Sequence, residues 1–459
     1  MPESAAALTR TVKSTLAYIL INRDGAAIQP GSRTYSRSWI RDSAMTSAAL
    51  LEMGLPGPVR DFLPWYAQFQ YADGKIPCAV DRRGPDPLPE HDSNGEFLFC
   101  LAEYYRYTHD IGMVQRLWPN AVAAIDYLER LRAQRLTTEY EKGDKRLFYG
   151  LLPESISHEG YAAHPVHAYW DDFYALRGFK DAVMLATAVD DPATAARAAT
   201  QRDGLQRDLY ASIRAVIAAK KLDVIPASAD LGDFDPSATA VMLETIGEAR
   251  HLPQAELERT FQRHYEELMG RRDDTVHWDN YAPYEMRSVG ALIRLGHRQQ
   301  ALDVLDWQMT GRRPAAWNQW AEVVWKDPAA PKFIGDMPHT WVGSGFIEAV
   351  RTMFAYERED DDAIVLAGGI PRAWIETADG VGAKRLPTPY GVLSYTLTGD
   401  AGATRMQLSG ELEPPAGGLV LDLPLPAAIA QATVNGSPAQ VVDGRVVVRA
   451  LPADVVVHH

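Results

Sequence analysis

Through the first three quarters of the chain, apolar residues recur at three- and four-residue spacing, the period of helices that bury one face. The pattern predicts twelve helices, over 4–22, 42–53, 59–70, 95–107, 113–132, 171–188, 192–219, 236–248, 255–269, 284–295, 299–309 and 339–356. Two kinds alternate. Segments such as 42–53 and 339–356 are rich in small residues and apolar on nearly every side, which predicts full burial. Segments such as 113–132 and 255–269 carry charge on one face, so the alternation implies an inner and an outer layer. Asp42 is placed to cap its helix, with Gly54 and Pro56 as the stop.

Long aromatic-rich loops precede the inner segments, at 28–41, 71–94, 150–170, 226–235, 273–283 and 311–338. Loops longer than about 12 residues inside a compact domain are usually functional. Six of them on one face of a toroid of six helical hairpins would converge on its hollow. Beyond residue 362 the period changes to short β runs, at 363–366, 392–398, 418–423, 432–434, 445–448 and 454–457, divided by Gly, Pro and Asn turns. The chain therefore divides into a helical domain, 1–362, and a C-terminal antiparallel β-sandwich domain, 363–459.

Composition narrows the partners. The 459 residues are 46% hydrophobic and 23% charged, without the roughly 18 uninterrupted apolar residues of a membrane span. A net charge of −14 with no basic cluster argues against nucleic acid. Cys78 and Cys100 have no metal-ligand spacing and read as buried thiols. The first residues lack the features of a secretory signal, which points to the cytoplasm unless the chain is a piece of a longer exported protein. No metal or other cofactor is expected; the acidic run DLGDFD at 230–235 lacks a calcium-loop pattern and reads as a turn with a helix cap.

Three segments carry the chemistry. Residues 317–341, WNQWAEVVWKDPAAPKFIGDMPHTW, combine four tryptophans with amides and Glu322 in a stretch too broken by Pro and Gly for one helix. Aromatic faces and a few convergent polar groups suit a sugar, which offers C–H faces and hydroxyls. In SWIRD, the adjacent Arg41 and Asp42 could grip two hydroxyls, one donating and one accepting. Residues 149–182 gather Glu154, Glu159, Asp171 and Asp172 among aromatics; a carboxyl flanked by Tyr169, Trp170 and Phe173 beside a like charge could stay protonated as a general acid.

WIRD entering a buried helix, YWDDFYALRGFKDA, and WAEVVW followed by GDMPHTW resemble the six-hairpin (α/α)6-barrel glycosidases: glucoamylases, glycogen-debranching glucosidases and trehalase-like enzymes. The stretch AGGIPRAWIE to GVLSYTL resembles their small β domain. The resemblance implies a sugar held by Arg41 and Asp42, a water activated by Glu322, and an acid that is Asp172 or Glu154. Such an enzyme inverts the anomeric centre, with its two carboxyls roughly 6.5–9.5 Å apart. Trp39, Trp170, Trp278, Trp317, Trp320 and Trp341 are candidates to line the pocket. Asp92, Asp171, Asn280, Tyr281, Glu285, Asn318, Gln319 and His339 are candidate hydroxyl contacts. The tryptophan–glutamate–glutamate setting of the glucoamylase acid is absent, and so is a carboxylate near Gly345. The expected activity is hydrolysis of a terminal glycosidic bond. Alternatives are a sugar epimerase or isomerase using His158, His164, His167 or His339, a phosphorylase, and a non-catalytic sugar-binding module.

Overall fold

The computed structural model describes residues 2, 5–329 and 332–459. Residue 4 of the first expected helix and residues 330 and 331 of the expected active-site loop lie outside them. Among the described residues, twelve α-helices precede the β region: α1 (Ala6–Asn22), α2 (Ile40–Glu52), α3 (Pro56–Ala67), α4 (Ser93–Thr108), α5 (Ile111–Ala133), α6 (Tyr169–Ala188), α7 (Pro192–Lys220), α8 (Pro236–Glu244), α9 (Gln254–Arg272), α10 (Arg287–Arg294), α11 (Arg298–Thr310) and α12 (Thr340–Phe354). The even-numbered helices pack in succession, α2 on α4, α4 on α6, α6 on α8, α8 on α10 and α10 on α12, and α12 returns to α2. Their composition explains the place they take. Of the 13 residues of α2, 11 are buried, and of the 15 of α12, 14 are. The outer α9 buries only 7 of 19 and shows water its charged face.

Close packing in the inner layer depends on small residues. Where α4 crosses α6, a Cβ on Gly95 would overlap the Tyr174 carbonyl, and Gly178 faces Gly95 across the contact. Several helix boundaries differ from the periodicity. Residues 284–295 divide into a 3-10 turn, Pro283–Met286, and α10. Asp42 does not cap α2: the helix begins at Ile40, Trp39 is the N-cap, and Asp42 lies in the first turn. The same shift applies to α6, where Ala168 is the N-cap and Asp171 and Asp172 sit in the first turn. Asp235 does cap α8, accepting from the backbone N–H groups of Ser237 and Ala238.

Short strands tie the long loops together. β1 (Ser38–Trp39) pairs with β2 (Ala79–Asp81), which pairs with β3 (Gly84–Pro85); β4 (Asn280–Tyr281) pairs with β5 (Val324–Trp325). After α12 the chain enters β6 (Ala355–Arg358) and β7 (Ala363–Leu366), so the β region opens before residue 363. The remaining strands are β8 (Val381–Thr388), β9 (Gly391–Gly399), β10 (Ala403–Leu412), β11 (Gly418–Leu421), β12 (Gln431–Val434), β13 (Ser437–Pro438), β14 (Val441–Val442), β15 (Arg445–Val448) and β16 (Ala453–His458). One sheet has the order β14-β15-β11-β7-β6 and the other β13-β12-β16-β10-β9-β8. Every pair is antiparallel except β7 with β11, a departure from the expected all-antiparallel arrangement. The connection from β7 to β11 passes through three strands of the other sheet, so the chain returns to its first sheet running in the same direction.

The Tyr395 hydroxyl donates to the Phe354 carbonyl at 2.9 Å, and Arg298 donates to the Asp422 backbone carbonyl at 2.7 Å, fixing the sheets against α11 and α12. Cys78 and Cys100 are buried free thiols. Among the described residues, no helix is long and apolar enough to cross a membrane.

Candidate active site

At the N-terminal ends of the inner helices a small cavity is lined by Pro30, Tyr35, Trp39, Arg41, Asp42, Glu159, Tyr284, Glu322, His339 and Trp341. Three loops, the 3-10 turn that carries Tyr284 and two helix starts meet there. The loop before α2 supplies Tyr35 and Trp39, the loop before α6 supplies Glu159, and the loop after α11 supplies Glu322. The first turns of α2 and α12 supply Arg41, Asp42 and Trp341.

Glu322 accepts a hydrogen bond on each carboxylate oxygen, from the Tyr284 hydroxyl at 2.9 Å and from the Tyr35 hydroxyl. Burial, and after it the neighbouring Glu322 carboxylate, pushes the two phenol pKa values up, so the hydroxyls keep their protons and stay donors. Tyr35 stands edge-on to Trp39 and His339, with centroids 5.5 and 5.4 Å away. Its loop is latched by Asp336, which accepts from the backbone N–H groups of Arg33 at 2.6 Å, Thr34 at 3.0 Å and Tyr35 at 3.3 Å. Burial pushes the Asp336 carboxyl upward, but those three N–H groups outweigh it and hold the group below its usual range. Gly335, beside it, has φ +68°, and a Cβ there would lie 2.7 Å from Glu322 Oε2, so no larger residue fits behind that carboxylate.

Glu159 lines the same cavity and accepts from Trp39 Nε1 at 3.0 Å. Its backbone is left-handed, φ +65°, in the loop before α6. Arg41 reaches Glu90 at 2.5 Å and Asp92 at 3.5 Å, and its Nε lies 3.8 Å from Asp42. Burial lifts Asp42 to about 7 against the opposing pull of Arg41, with Glu322 and Glu159 adding to the rise. Burial likewise lifts Glu90 to about 8.

The arrangement brings Trp39, Arg41, Asp42, Glu322, His339 and Trp341 of the expected residues onto one cavity, and places the others elsewhere. Asp172 is fully buried, accepts from the Leu152 N–H at 2.9 Å, and is pushed to about 8 by that burial. Asp171 accepts from the hydroxyls of Ser155 and Ser157. Both face the loop that wraps the start of α6 rather than the cavity. Glu154 pairs with Arg135 and lies 3.7 Å from His167. Burial raises it, but its own backbone N–H, His167 and Arg135 together bring it below its usual value.

Trp170 and Asp92 support the cavity from beneath, Trp170 Nε1 donating to Asp92 at 2.8 Å. Trp320 is core: fully buried, packed on Phe346, and donating to the Gln308 carbonyl. Trp278 and Tyr281 pack with Trp307, and Asn280 is exposed on β4. Glu285 pairs with Arg271 at 2.6 Å. Trp317 is 59% exposed on the surface, Asn318 bonds Arg312 and Ser14, and Gln319 bonds the Arg313 carbonyl. Their amides secure the loop to its neighbours.

Tyr35 and Tyr284 carried no expectation, and Glu159 was noted among its neighbours without a role. The one sequence signal for them was position: Tyr35 and Glu159 lie in two of the long loops, and Tyr284 opens a predicted inner helix.

No protein-family model matches the chain, and neither does any curated protein. Solved structures do. The chain is similar to an α-L-rhamnosidase from Dictyoglumus thermophilum, with TM-score 0.66 and 12% identity over 98% of this chain and 49% of that one. It is similar to a Streptomyces avermitilis α-L-rhamnosidase complexed with L-rhamnose, with TM-score 0.63 and 14% identity over 98% of this chain and 41% of that one. A protein described as a glycosidase matches at TM-score 0.54 and 12% identity, over 77% of this chain and 99% of that one. The chain thus spans half or less of these two rhamnosidases, and at these identities the likeness is one of fold. The fold is one that glycosidases use, rhamnosidases among them; a likeness to glucoamylases in particular is not what these structures carry.

Proposed function

We propose that the chain is a glycoside hydrolase that removes a terminal sugar with inversion, Glu159 acting as general acid and Glu322 as general base. The observation that carries this reading is that these two carboxylates line one aromatic-walled cavity with the Arg41–Asp42 pair at its base. Trp39 Nε1 occupies one oxygen of Glu159 and leaves the other to protonate the departing glycosidic oxygen. Glu322, oriented by two phenols, retains lone pairs to take a proton from water on the opposite side of an oxocarbenium-like centre. Asp42 and Arg41 would hold sugar hydroxyls, with Trp39, Trp341 and Tyr284 as ring faces.

Glu159 takes the role first given to Asp172 or Glu154, since both of those are committed to neighbours away from the cavity. The closed succession of six inner helices favours an (α/α)6 toroid for the helical part, followed by a β domain that begins as α12 ends. The rhamnosidases of similar fold make α-L-rhamnosides the first substrates to try, and glucosides the second, because a variant glycosidase of the same fold binds glucose. His339 does not favour an epimerase: its Nδ1 accepts from the Val342 N–H, and burial lowers the ring to about 3.

The test is a panel of aryl glycosides and oligosaccharides, with product anomers followed by proton NMR for the wild type, Glu322→Gln, Glu159→Gln, Asp172→Asn and Glu154→Gln. Inversion that is abolished in the first two variants and kept in the last two is the expected result. Retention of configuration, or loss in Asp172→Asn with Glu159→Gln active, overturns the assignment.

A further inference from the structure

Arg287 opens α10, directly after the 3-10 turn that carries Tyr284. Its side chain is 7% exposed. Among the described residues it forms no ion pair, and Nη2 reaches only the Met45 sulfur, at 3.8 Å. Asp42, Glu244 and Glu348 are near enough to feel its charge, but none pairs with it in contact, and a buried guanidinium without a contacting carboxylate is costly unless something replaces water around it. Here three aromatic rings do so: the guanidinium carbon lies 4.6 Å from the Trp341 ring centroid, 5.3 Å from Tyr284 and 5.6 Å from Trp170.

Each of those rings has its polar end committed at the cavity or just beneath it. The Tyr284 hydroxyl donates to Glu322 at 2.9 Å. Trp170 Nε1 donates to Asp92 at 2.8 Å, and Asp92 in turn lies 3.5 Å from Arg41. Trp341 lines the cavity, and its Nε1 donates to the same Met45 sulfur at 3.2 Å. Arg287 itself does not line the cavity.

We infer that Arg287 is a positioning residue whose guanidinium, held between three ring faces, keeps the Glu322 half of the site in register with the Arg41–Asp92 half. Planarity matters as much as charge: a guanidinium stacks on ring faces at several angles, whereas an ammonium is a compact, strongly hydrated point charge. Loss of the group frees Tyr284 to turn, and Glu322 then loses one of its two donors. The inference rests on the hydrolase reading for its kinetic consequence, though not for its geometry.

The experiment is a double-mutant cycle on kcat/KM with an aryl glycoside that the wild type cleaves, comparing Arg287→Met, Tyr284→Phe and the double variant, together with a crystal structure of Arg287→Met. If Arg287→Met does not fold, Arg287→Lys takes its place in both. Arg287→Met is expected to lower kcat/KM by about 10²-fold, the scale of a misplaced catalytic group. In the Tyr284→Phe background the same change is expected to cost only a few-fold, because both act through one contact. Full multiplication of the two losses overturns the inference, since a residue serving general stability would act independently of Tyr284. If the wild type cleaves no glycoside, the hydrolase reading falls, and the crystal structure decides alone. A Tyr284 hydroxyl out of hydrogen-bond reach of Glu322 supports the positioning role, and unmoved rings overturn it.

Discussion

The inner helices end in two cavities of opposite character. At their N-terminal ends lies the small cavity of about 40 Å³ that holds Glu322, Glu159 and Asp42. At their C-terminal ends, against the β region, lies one of about 280 Å³, with Glu52, Glu103, Glu244 and Glu348 among its walls beside Arg106, Arg177 and Arg294. Burial alone does not separate them, because it lifts Asp42 at one end and Glu52 and Glu244 at the other to the same level, about 7. The partners do. In the small cavity Glu322 has a phenol on each oxygen and Glu159 has an indole N–H. In the large one, Glu52 Oε2 and Glu244 Oε1 are sealed from solvent without a hydrogen-bond partner. Helix dipoles widen the contrast, since their N-terminal ends favour carboxylate charge and their C-terminal ends oppose it. Size alone would favour the large end; the placement of donors and ring faces favours the small one, the site proposed above.

The sharpest way to break that comparison is to neutralise one carboxylate at each end. Glu322→Gln and Glu159→Gln are each expected to lower kcat by about 10²- to 10⁴-fold, the range of general acid–base catalysis. Glu348→Gln, at the far end, is expected to leave kcat within about two-fold, as a substitution that touches no reacting group. Comparable losses at both ends would remove the distinction. A smaller effect tests how the site is held. Asp336 does not itself line the cavity, yet its three backbone contacts set where Tyr35 stands. Asp336→Ala is expected to cost about 10- to 100-fold in kcat by misplacing that hydroxyl. Adding Asp336→Ala to Tyr35→Phe is expected to change little more, and a fully multiplicative loss in the pair would sink the proposed route through Tyr35.

The helical layers were legible in the sequence because burial is periodic: α2 and α12 are apolar all round, while α9 is striped. Arg41 and Asp42 were legible for a local reason, since a charged pair at the mouth of so apolar a helix has no core role to fill. Glu159 and Tyr35 were not. Their places in the cavity arise where loops about 120 and 290 residues apart meet, at Trp39 with Glu159 and at Tyr35 with Glu322, and no local pattern encodes such a meeting. Asp172 lies off this cavity although two aspartates after a tryptophan announce desolvation correctly. Asp172 is indeed buried and raised, but the loop at 150–157 folds over that face and takes the carboxylate for itself. The tryptophans of 317–341 scattered for a related reason: an aromatic-rich stretch does not say which ring turns inward, and Trp320 became core while Trp317 became surface. The parallel pairing of β7 with β11 needed knowledge of which sheet each strand joins.

The mildest expected effect concerns stability, and it probes the large cavity directly. Burial raises Glu244 from 4.5 to about 7, with Arg294 and Arg287 offsetting part of the rise. Below about pH 4.5 the group is protonated in both folded and unfolded chains, and it exacts no penalty. Between 4.5 and 7 the unfolded chain releases the proton while the folded one keeps it, so stability falls as pH rises. Once pH has passed about 7, the folded protein holds an ionised carboxylate whose Oε1 has no hydrogen-bond partner, and the loss is complete. Glu244→Gln removes the titration while keeping the shape. The variant is therefore expected to match the wild type near pH 4 and to exceed it by ~1–3 kcal/mol at pH 8 in urea unfolding, with kcat unchanged. A gain that is equal at both pH values would mean that packing, not charge, limits this end of the ring. A loss at pH 8 would mean that the carboxylate is wanted there as a charge, and the two cavities would then differ less than their hydrogen bonds imply.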